Sequence, residues 1–185
     1  MNKVGLIDYG CGNIRSVINA LNYLGTEVSV HQNCDNVKQA DYLILPGVGT
    51  FQAACNSLRS SGLDREISEH IHRGRPFLGI CVGMQILMQK GNEFGLCDGL
   101  GYFSGSTNHL GVLNTDTIVP HIGWSQIQIC PKSHFHNQGL NNEYFYFNHS
   151  YVCVPDVKSE TTGIIKNNKQ TCIIESNAVV GVQFH

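Results

Sequence analysis

One cysteine lies in a local sequence that suits covalent catalysis. Cys81 has Gly79 two residues before it and Gly83 two residues after it, between an apolar run at 77–80 and a predicted helix start at 84–89. Glycines at these offsets are typical of a sharp strand–turn–helix elbow, because side chains there would block the approach of backbone and substrate. The start of a helix also favours the thiolate form of cysteine. We therefore predict a nucleophilic thiol at Cys81; the alternative is a buried structural cysteine.

The composition limits the classes of protein to consider. The 185 residues can form one domain with a proper core, and 42% of them are hydrophobic. A formal net charge of −2 gives no electrostatic reason to expect nucleic acid or a membrane as a partner, and no apolar run is long enough to span a membrane. The eight cysteines are scattered without a C-x-x-C pair, which indicates a reducing, cytoplasmic location. We predict neither a metal site nor a cofactor.

The first half of the chain alternates strands with helices. Apolar runs and helical periodicity predict strands at 3–7, 27–30, 42–45 and 77–80 and helices at 14–24, 50–60 and 64–73. Glycine-rich turns follow the first, third and fourth strands, and in a parallel α/β sheet such turns line the ligand crevice. The first of these turns lacks the third glycine of a dinucleotide-binding fingerprint, so we expect it to face another ligand or a partner.

The second half is richer in short strands than in helices. Strands are predicted at 125–130, 144–147, 151–154, 163–165, 171–174 and 181–184. We predict that they add mostly antiparallel strands to the parallel core. No internal repeat or low-complexity linker divides the chain, so residues 1–185 are expected to form a single domain.

Six blocks along the whole chain resemble the motifs of class I (triad-type) glutamine amidotransferases, and within that class those of imidazole glycerol phosphate synthase glutaminase subunits. The blocks lie at 8–13, 45–49, 78–85, 120–124, 145–151 and 181–185. Their number and order make the resemblance specific. It implies an α/β, three-layer fold with a mostly parallel central sheet and added antiparallel strands.

The resemblance also implies a mechanism. Cys81 attacks the side-chain amide of glutamine and forms a thioester, while His185 acts first as general base and then as general acid. The developing oxyanion would meet backbone N–H groups at Val48, Gly49 and Val82.

The resemblance assigns further residues to substrate and partner. Those expected to hold L-glutamine are Gly47, Gln85, Glu93, His149, Ser150 and Tyr151. A carboxylate at Glu93 suits the α-ammonium group, and backbone around His149 suits the α-carboxylate. Ammonia would pass to a (β/α)₈-barrel synthase subunit that makes imidazole glycerol phosphate in histidine biosynthesis. Asn13, Trp124 and Tyr146 match interface positions for this partner.

One departure from the family pattern concerns the end of the sequence. Family members continue from Gln-Phe-His into Pro-Glu, and that glutamate orients the catalytic histidine. Here the sequence stops at His185. We expect a sequence truncated at its C-terminus, and weaker catalysis from a chain without the orienting carboxylate.

Two other functions remain open from the sequence. A paralogous glutaminase that supplies ammonia for amidation of a nucleotide-linked or surface sugar would share all six blocks. A non-catalytic regulatory subunit would keep the fold without turnover.

Overall fold

The computed structural model describes residues 3–113 and 118–185, and within them the chain forms two β-sheets and five α-helices. The strands are β1 (Val4–Ile7), β2 (Val28–His31), β3 (Tyr42–Gly47), β4 (Phe77–Cys81), β5 (Met88–Gly91), β6 (Cys97–Asp98), β7 (Phe103–His109), β8 (His121–Ile129), β9 (Tyr144–His149), β10 (Tyr151–Pro155), β11 (Thr161–Ile165), β12 (Thr171–Ser176) and β13 (Val179–Val182). The α-helices are α1 (Ile14–Tyr23), α2 (Phe51–Ser61), α3 (Leu63–His72), α4 (Val82–Gln85) and α5 (Leu110–Leu113), and two 3₁₀ helices cover Cys34–Gln39 and Lys158–Glu160.

The larger sheet has a parallel half and an antiparallel half. Its strand order is β2-β1-β3-β4-β13-β12-β11-β8-β9. All pairs from β2 to β13 are parallel, and all pairs from β13 to β9 are antiparallel. The predicted parallel core with added antiparallel strands is confirmed. Because β13 comes last in the chain but lies beside β4, it joins the two halves.

The smaller sheet has the order β10-β7-β5-β6. Strand β10 follows β9 after one residue, so the chain passes from the edge of the large sheet directly into the small one. The sequence does not predict β7, whose seven residues include a glycine and five polar side chains that weaken the strand pattern.

The predicted helix at 84–89 is wrong beyond its first two residues. Helix α4 ends at Gln85, and Met88 already belongs to β5. Residues 84–88 are all buried, so they lack the polar face that marks an amphipathic helix. Pairing of Met88 with Phe103 in the small sheet decides the conformation instead.

The apolar core has two parts. The first packs α2, α3 and α4 with the parallel strands, and Leu45, Leu58, Ile67 and Met84 in it are fully buried. The second lies on the antiparallel half around Ile127, Phe147 and Cys172. Each fully buried large side chain contributes about 1.5–3 kcal/mol of transfer free energy. Among the described residues, no helix has the length and apolar character needed to cross a membrane.

Candidate active site

The strand order brings distant parts of the chain to one edge of the sheet. Strands β3, β4 and β13 are parallel neighbours, with Gly47 in register with Cys81 and Val182 in register with Ile80. The residues that follow these strands therefore meet at their carboxyl ends. A pocket of about 580 Å³ opens there. Its lining is Asn13, Val48, Gly49, Cys81, Val82, Gln85, Glu93, Pro120, Tyr146, Asn148, His149, Ser150, Tyr151 and His185.

Cys81 occupies a strained elbow between β4 and α4. Its backbone has φ 55° and ψ −110°, a combination that is costly for a residue with a Cβ and is found mainly at functional sites. The flanking glycines permit it. A Cβ on Gly79 would lie 2.5 Å from the carbonyl oxygen of Gly83, and a Cβ on Gly83 would overlap the carbonyl oxygen of Leu45. The glycine pattern predicted from the sequence therefore has a steric cause.

The thiol of Cys81 is almost completely buried. Burial raises its pKa to about 11, while hydrogen bonds from the Val82 backbone and the Gln183 side chain act in the opposite direction. The expected bias toward thiolate at a helix start is thus outweighed. Helix α4 has only four residues, so its dipole is small, and loss of water around the sulfur dominates.

The turn after β3 faces the elbow. Val48 is exposed, and Gly49 has φ 95°, which places its backbone in the left-handed region. Thr50 then begins α2 by accepting a hydrogen bond from the Ala53 N–H at 3.2 Å. The capped helix therefore fixes one end of the turn that carries the predicted oxyanion donors.

His185 is tied to the neighbouring strand β9. Its backbone N–H donates to the carbonyl of Tyr146 at 3.0 Å. Burial lowers the pKa of the His185 imidazole, so the ring is neutral near pH 7. A neutral ring in the same pocket as a protonated thiol has the protonation state that a general base requires.

Two glutamine side chains link the pocket wall to the sulfur. Gln85 Nε2 donates to the Tyr151 carbonyl at 3.1 Å and to Gln183 Oε1 at 3.1 Å. Gln183 Nε2 in turn lies 3.6 Å from Cys81 Sγ. Since Gln85 uses its amide nitrogen inside the protein, its amide oxygen is the group that remains for a ligand.

Glu93 lies at the N-terminus of α2. Its Oε2 accepts a hydrogen bond from the Phe51 N–H at 2.6 Å, and this position favours a negative charge. Glu93 also helps to raise the pKa of Tyr151, after burial as the larger cause. The pocket therefore contains one fixed acidic side chain.

The segment His149–Tyr151 crosses from the large sheet to the small one at the pocket. His149 is buried, and its Nδ1 is 2.9 Å from the Tyr151 carbonyl. Because a carbonyl only accepts, Nδ1 carries the proton and Nε2 is an acceptor without a hydrogen-bond partner among the described residues. Burial lowers the pKa of His149 to about 4, against the effect of the Tyr151 carbonyl, so the ring is neutral.

Two predicted residues do not line the pocket. Gly47 belongs to β3 and lies behind the elbow, where a Cβ would come within 2.7 Å of the Gly83 nitrogen. A glycine at this position therefore allows β3 and the elbow to pack closely. Trp124 is 69% exposed on β8 and packs edge-to-face on Tyr146 with ring centroids 5.9 Å apart. Asn13 does line the pocket, and its side chain also caps α1 by accepting from the Ser16 N–H at 3.2 Å.

Three residues near the sulfur or the pocket were not singled out from the sequence. Pro120 and Asn148 line the pocket, and Gln183 contacts the sulfur from behind. Strand periodicity contains a signal for Gln183, because Gly181, Gln183 and His185 share one face of an extended segment. Pro120 and Asn148 lie in the blocks at 120–124 and 145–151, but no local pattern marks them as lining the pocket.

Comparisons with known proteins identify the family of this chain. The family model for glutamine amidotransferase class-I matches residues 5–185. The imidazole glycerol phosphate synthase subunit HisH of Chlorobaculum tepidum is 39% identical over 184 residues, which cover 98% of this chain and 90% of that protein. The HisH subunit of Zymomonas mobilis is 40% identical over 193 residues, which cover 100% of this chain and 88% of that protein.

Solved structures support the fold. The crystal structure of a glutamine amidotransferase has a TM-score of 0.78 at 18% identity and covers 98% of this chain and 89% of its own. PurLQS from Thermotoga maritima has a TM-score of 0.77 at 18% identity, with 100% and 87% covered. At this identity the likeness shows the fold alone, and it confirms the predicted fold class. From the family model and the sequence relatives together, the chain belongs to the class-I glutamine amidotransferase family, alongside the HisH subunits of imidazole glycerol phosphate synthase.

Proposed function

We propose that this chain is the glutaminase subunit of an imidazole glycerol phosphate synthase and hydrolyses glutamine to glutamate and ammonia for histidine biosynthesis. The observation that carries the proposal is the meeting of Cys81, the Val48–Gly49 turn and His185 in one pocket. This arrangement supplies a nucleophile, backbone donors and a base at adjacent strand ends. The sequence relatives are named as subunits of imidazole glycerol phosphate synthase, which supports this synthase as the acceptor of the ammonia.

In the first half-reaction the sulfur attacks the amide carbon of the glutamine side chain. With the pKa of Cys81 raised to about 11, the thiol is protonated near pH 7, so His185 removes the proton as the S–C bond forms. The carbonyl oxygen becomes an oxyanion, which the N–H groups of Val82 and the Val48–Gly49 turn stabilise. His185 then gives the proton to the departing nitrogen, and the C–N bond breaks to leave ammonia and a thioester.

In the second half-reaction water attacks the same carbon. His185 takes a proton from the water, the tetrahedral intermediate collapses, and the S–C bond breaks. The sulfur leaves as a thiolate and receives the proton back from His185. Glutamate is released and the free thiol is restored.

The remaining pocket residues suit the polar ends of glutamine. The Glu93 carboxylate pairs with the α-ammonium group, and the backbone of the His149–Tyr151 segment binds the α-carboxylate. The free amide oxygen of Gln85 accepts an N–H from the side-chain amide of the substrate. Each assignment matches an acceptor with a donor, or a charge with its opposite.

The partner is a (β/α)₈-barrel synthase subunit docked beside the pocket. Exposed Trp124 on β8 packs edge-to-face on half-buried Tyr146 on β9, and aromatic side chains of this kind are frequent at interface hot spots. Tyr146 also lines the pocket, so the docking face and the site of ammonia release adjoin. We assign this complex to the cytoplasm.

The test replaces the nucleophile in the complex with the synthase subunit. Cys81→Ala should abolish synthesis that depends on glutamine and leave synthesis from added ammonium salts intact, because only the glutaminase step uses the sulfur. Cys172→Ala is the matched control, since Cys172 is equally buried but lies in the other part of the core. Loss of both activities in Cys81→Ala, or retention of both, would contradict the proposed role.

A further inference from the structure

We propose that Gln183 is a positioning residue for the nucleophile: its carboxamide donates an N–H to the Cys81 sulfur and is held in that orientation by Gln85. The contacts among these three side chains define the arrangement. The effect of this arrangement on glutamine turnover rests on the proposed glutaminase function. Its effect on the reactivity of Cys81 does not.

Gln183 has no solvent exposure, although it carries a polar side chain. A buried amide is costly unless it is hydrogen-bonded. Gln183 is held at both ends, because its backbone N–H donates to the Cys172 carbonyl at 2.9 Å and its side chain contacts Gln85 and Cys81. Three fixed contacts leave the side chain little freedom to rotate.

The direction of the Gln183 amide follows from a backbone carbonyl. The Tyr151 carbonyl can only accept, so the Gln85 atom 3.1 Å from it must be the amide nitrogen. The same nitrogen contacts Gln183 at 3.1 Å, so the Gln183 atom facing it must be the oxygen. The Gln183 nitrogen therefore faces the sulfur at 3.6 Å. Rotating either amide by 180° would place two donors or two acceptors together.

A donor on the sulfur has a chemical purpose in both half-reactions. It favours the thiolate that attacks the substrate, whereas burial of the sulfur disfavours that thiolate. It also stabilises the thiolate that leaves when the thioester is hydrolysed. Because Gln85 lines the pocket and holds Gln183, the same chain of amides connects the substrate-binding wall to the nucleophile.

The other ionisable groups around Cys81 do not replace this donor. Tyr9 and Cys153 interact with Cys81, and burial raises the pKa of both, that of Cys153 to about 12, so both are neutral near pH 7. His149 and His185 share the pocket and are neutral because burial lowers their pKa values. Glu93 lines the same pocket but is bonded to the N-terminus of α2.

The experiment measures the reactivity of Cys81 directly, in the chain without glutamine. Hydroxyethyl disulfide is the probe, and mass spectrometry of the Cys81 peptide gives the rate of mixed-disulfide formation against pH. Gln183→Met removes the donor and keeps the length of the side chain. We expect the thiolate fraction at a given pH to fall about tenfold, equal to about 1.4 kcal/mol. A more basic thiolate is also a better nucleophile, so the measured rate should fall about three- to fourfold.

Two further variants separate positioning from general damage to the fold. Thr162→Val is the control, since Thr162 is buried and hydrogen-bonded to Glu175 away from the sulfur; its Cys81 reactivity should match wild type. Gln183→Glu keeps the acceptor for Gln85 but turns the other end into an acceptor, so it should slow the reaction at least as much as Gln183→Met. In the complex, kcat for glutamine should fall about tenfold in Gln183→Met with KM changed less than twofold.

The measured rates of Cys81 decide whether the inference stands. Wild-type reactivity of Cys81 in Gln183→Met overturns the inference, as does an equal slowing in Thr162→Val. If Gln183→Met fails to fold, Gln183→Glu decides in the same way. A wild-type complex that does not hydrolyse glutamine refutes the proposed function, but the Cys81 rates still test the role of Gln183.

Discussion

Replacing Glu93 by glutamine separates substrate binding from chemistry at this site. The carboxylate lies in the pocket and is held by the Phe51 N–H at 2.6 Å. It does not contact the sulfur and is assigned to the α-ammonium group of the substrate. A hydrogen bond between charged groups is worth about 1.5–3 kcal/mol. Glu93→Gln should therefore raise KM for glutamine roughly 10- to 100-fold and leave kcat within about threefold, because the lost contact is present in ground state and transition state alike.

The same substitution has a small structural cost that can be worked out separately. The glutamine Oε1 still accepts from Phe51, so only the attraction between the carboxylate and the helix dipole is lost, about 0.3–1 kcal/mol. For a protein of this size, 1 kcal/mol lowers Tm by roughly 2–4 °C. A fall in Tm of more than about 4 °C would mean that Glu93 contributes more to the fold than its one hydrogen bond implies.

The assay is steady-state glutamine hydrolysis by the complex, with KM and kcat determined independently. Asp98→Asn is the control, because Asp98 is an exposed acid close to Glu93 in the chain and the charge change is the same. Its KM should stay within about twofold of wild type. A fall in kcat with KM unchanged in Glu93→Gln would refute the binding role. An equal rise of KM in Asp98→Asn would show that the KM effect of Glu93→Gln comes from the change of net charge and not from a lost contact.

Two predictions concern stability. The pKa of His149 is lowered to about 4 in the folded state, so its contribution to the free energy of unfolding is roughly 3 kcal/mol greater above pH 6.5 than below pH 4. The free energy of unfolding of wild type should therefore decrease more steeply than that of His149→Gln as the pH falls from 6.5 toward 4. Parallel curves would contradict the assignment. Gly83→Ala forces a Cβ against the Leu45 carbonyl oxygen and should cost roughly 3 kcal/mol, or 6–12 °C in Tm. Gly111→Ala is the control, because its Cβ meets only side-chain atoms, the His109 ring at 3.3 Å and Val119 Cγ2 at 3.9 Å, and it should shift Tm much less in the same calorimetric measurement.

The sequence alone was sufficient where local physics decides the structure. The glycines around Cys81 predicted the elbow because the steric demand extends over only a few residues. Strands β1 to β4 and helices α1 to α3 were predicted close to their observed bounds, since each has its own apolar periodicity and α2 ends at a glycine with φ 72°. The order of motifs likewise indicated the family.

Features that depend on distant parts of the chain could not be predicted before the strands were placed side by side. Met88 pairs with Phe103 in a sheet that no local pattern indicates, so a strand begins at Met88 within the segment predicted as helix. Burial against other elements raises the pKa of Cys81, although its local position favours the thiolate. The hydrogen bond from Gln183 to Cys81 joins residues 102 positions apart, and it arises because β13 inserts beside β4. Local sequence sets backbone conformation over a few residues, whereas solvent exclusion and side-chain contacts at the site are set by which strands become neighbours.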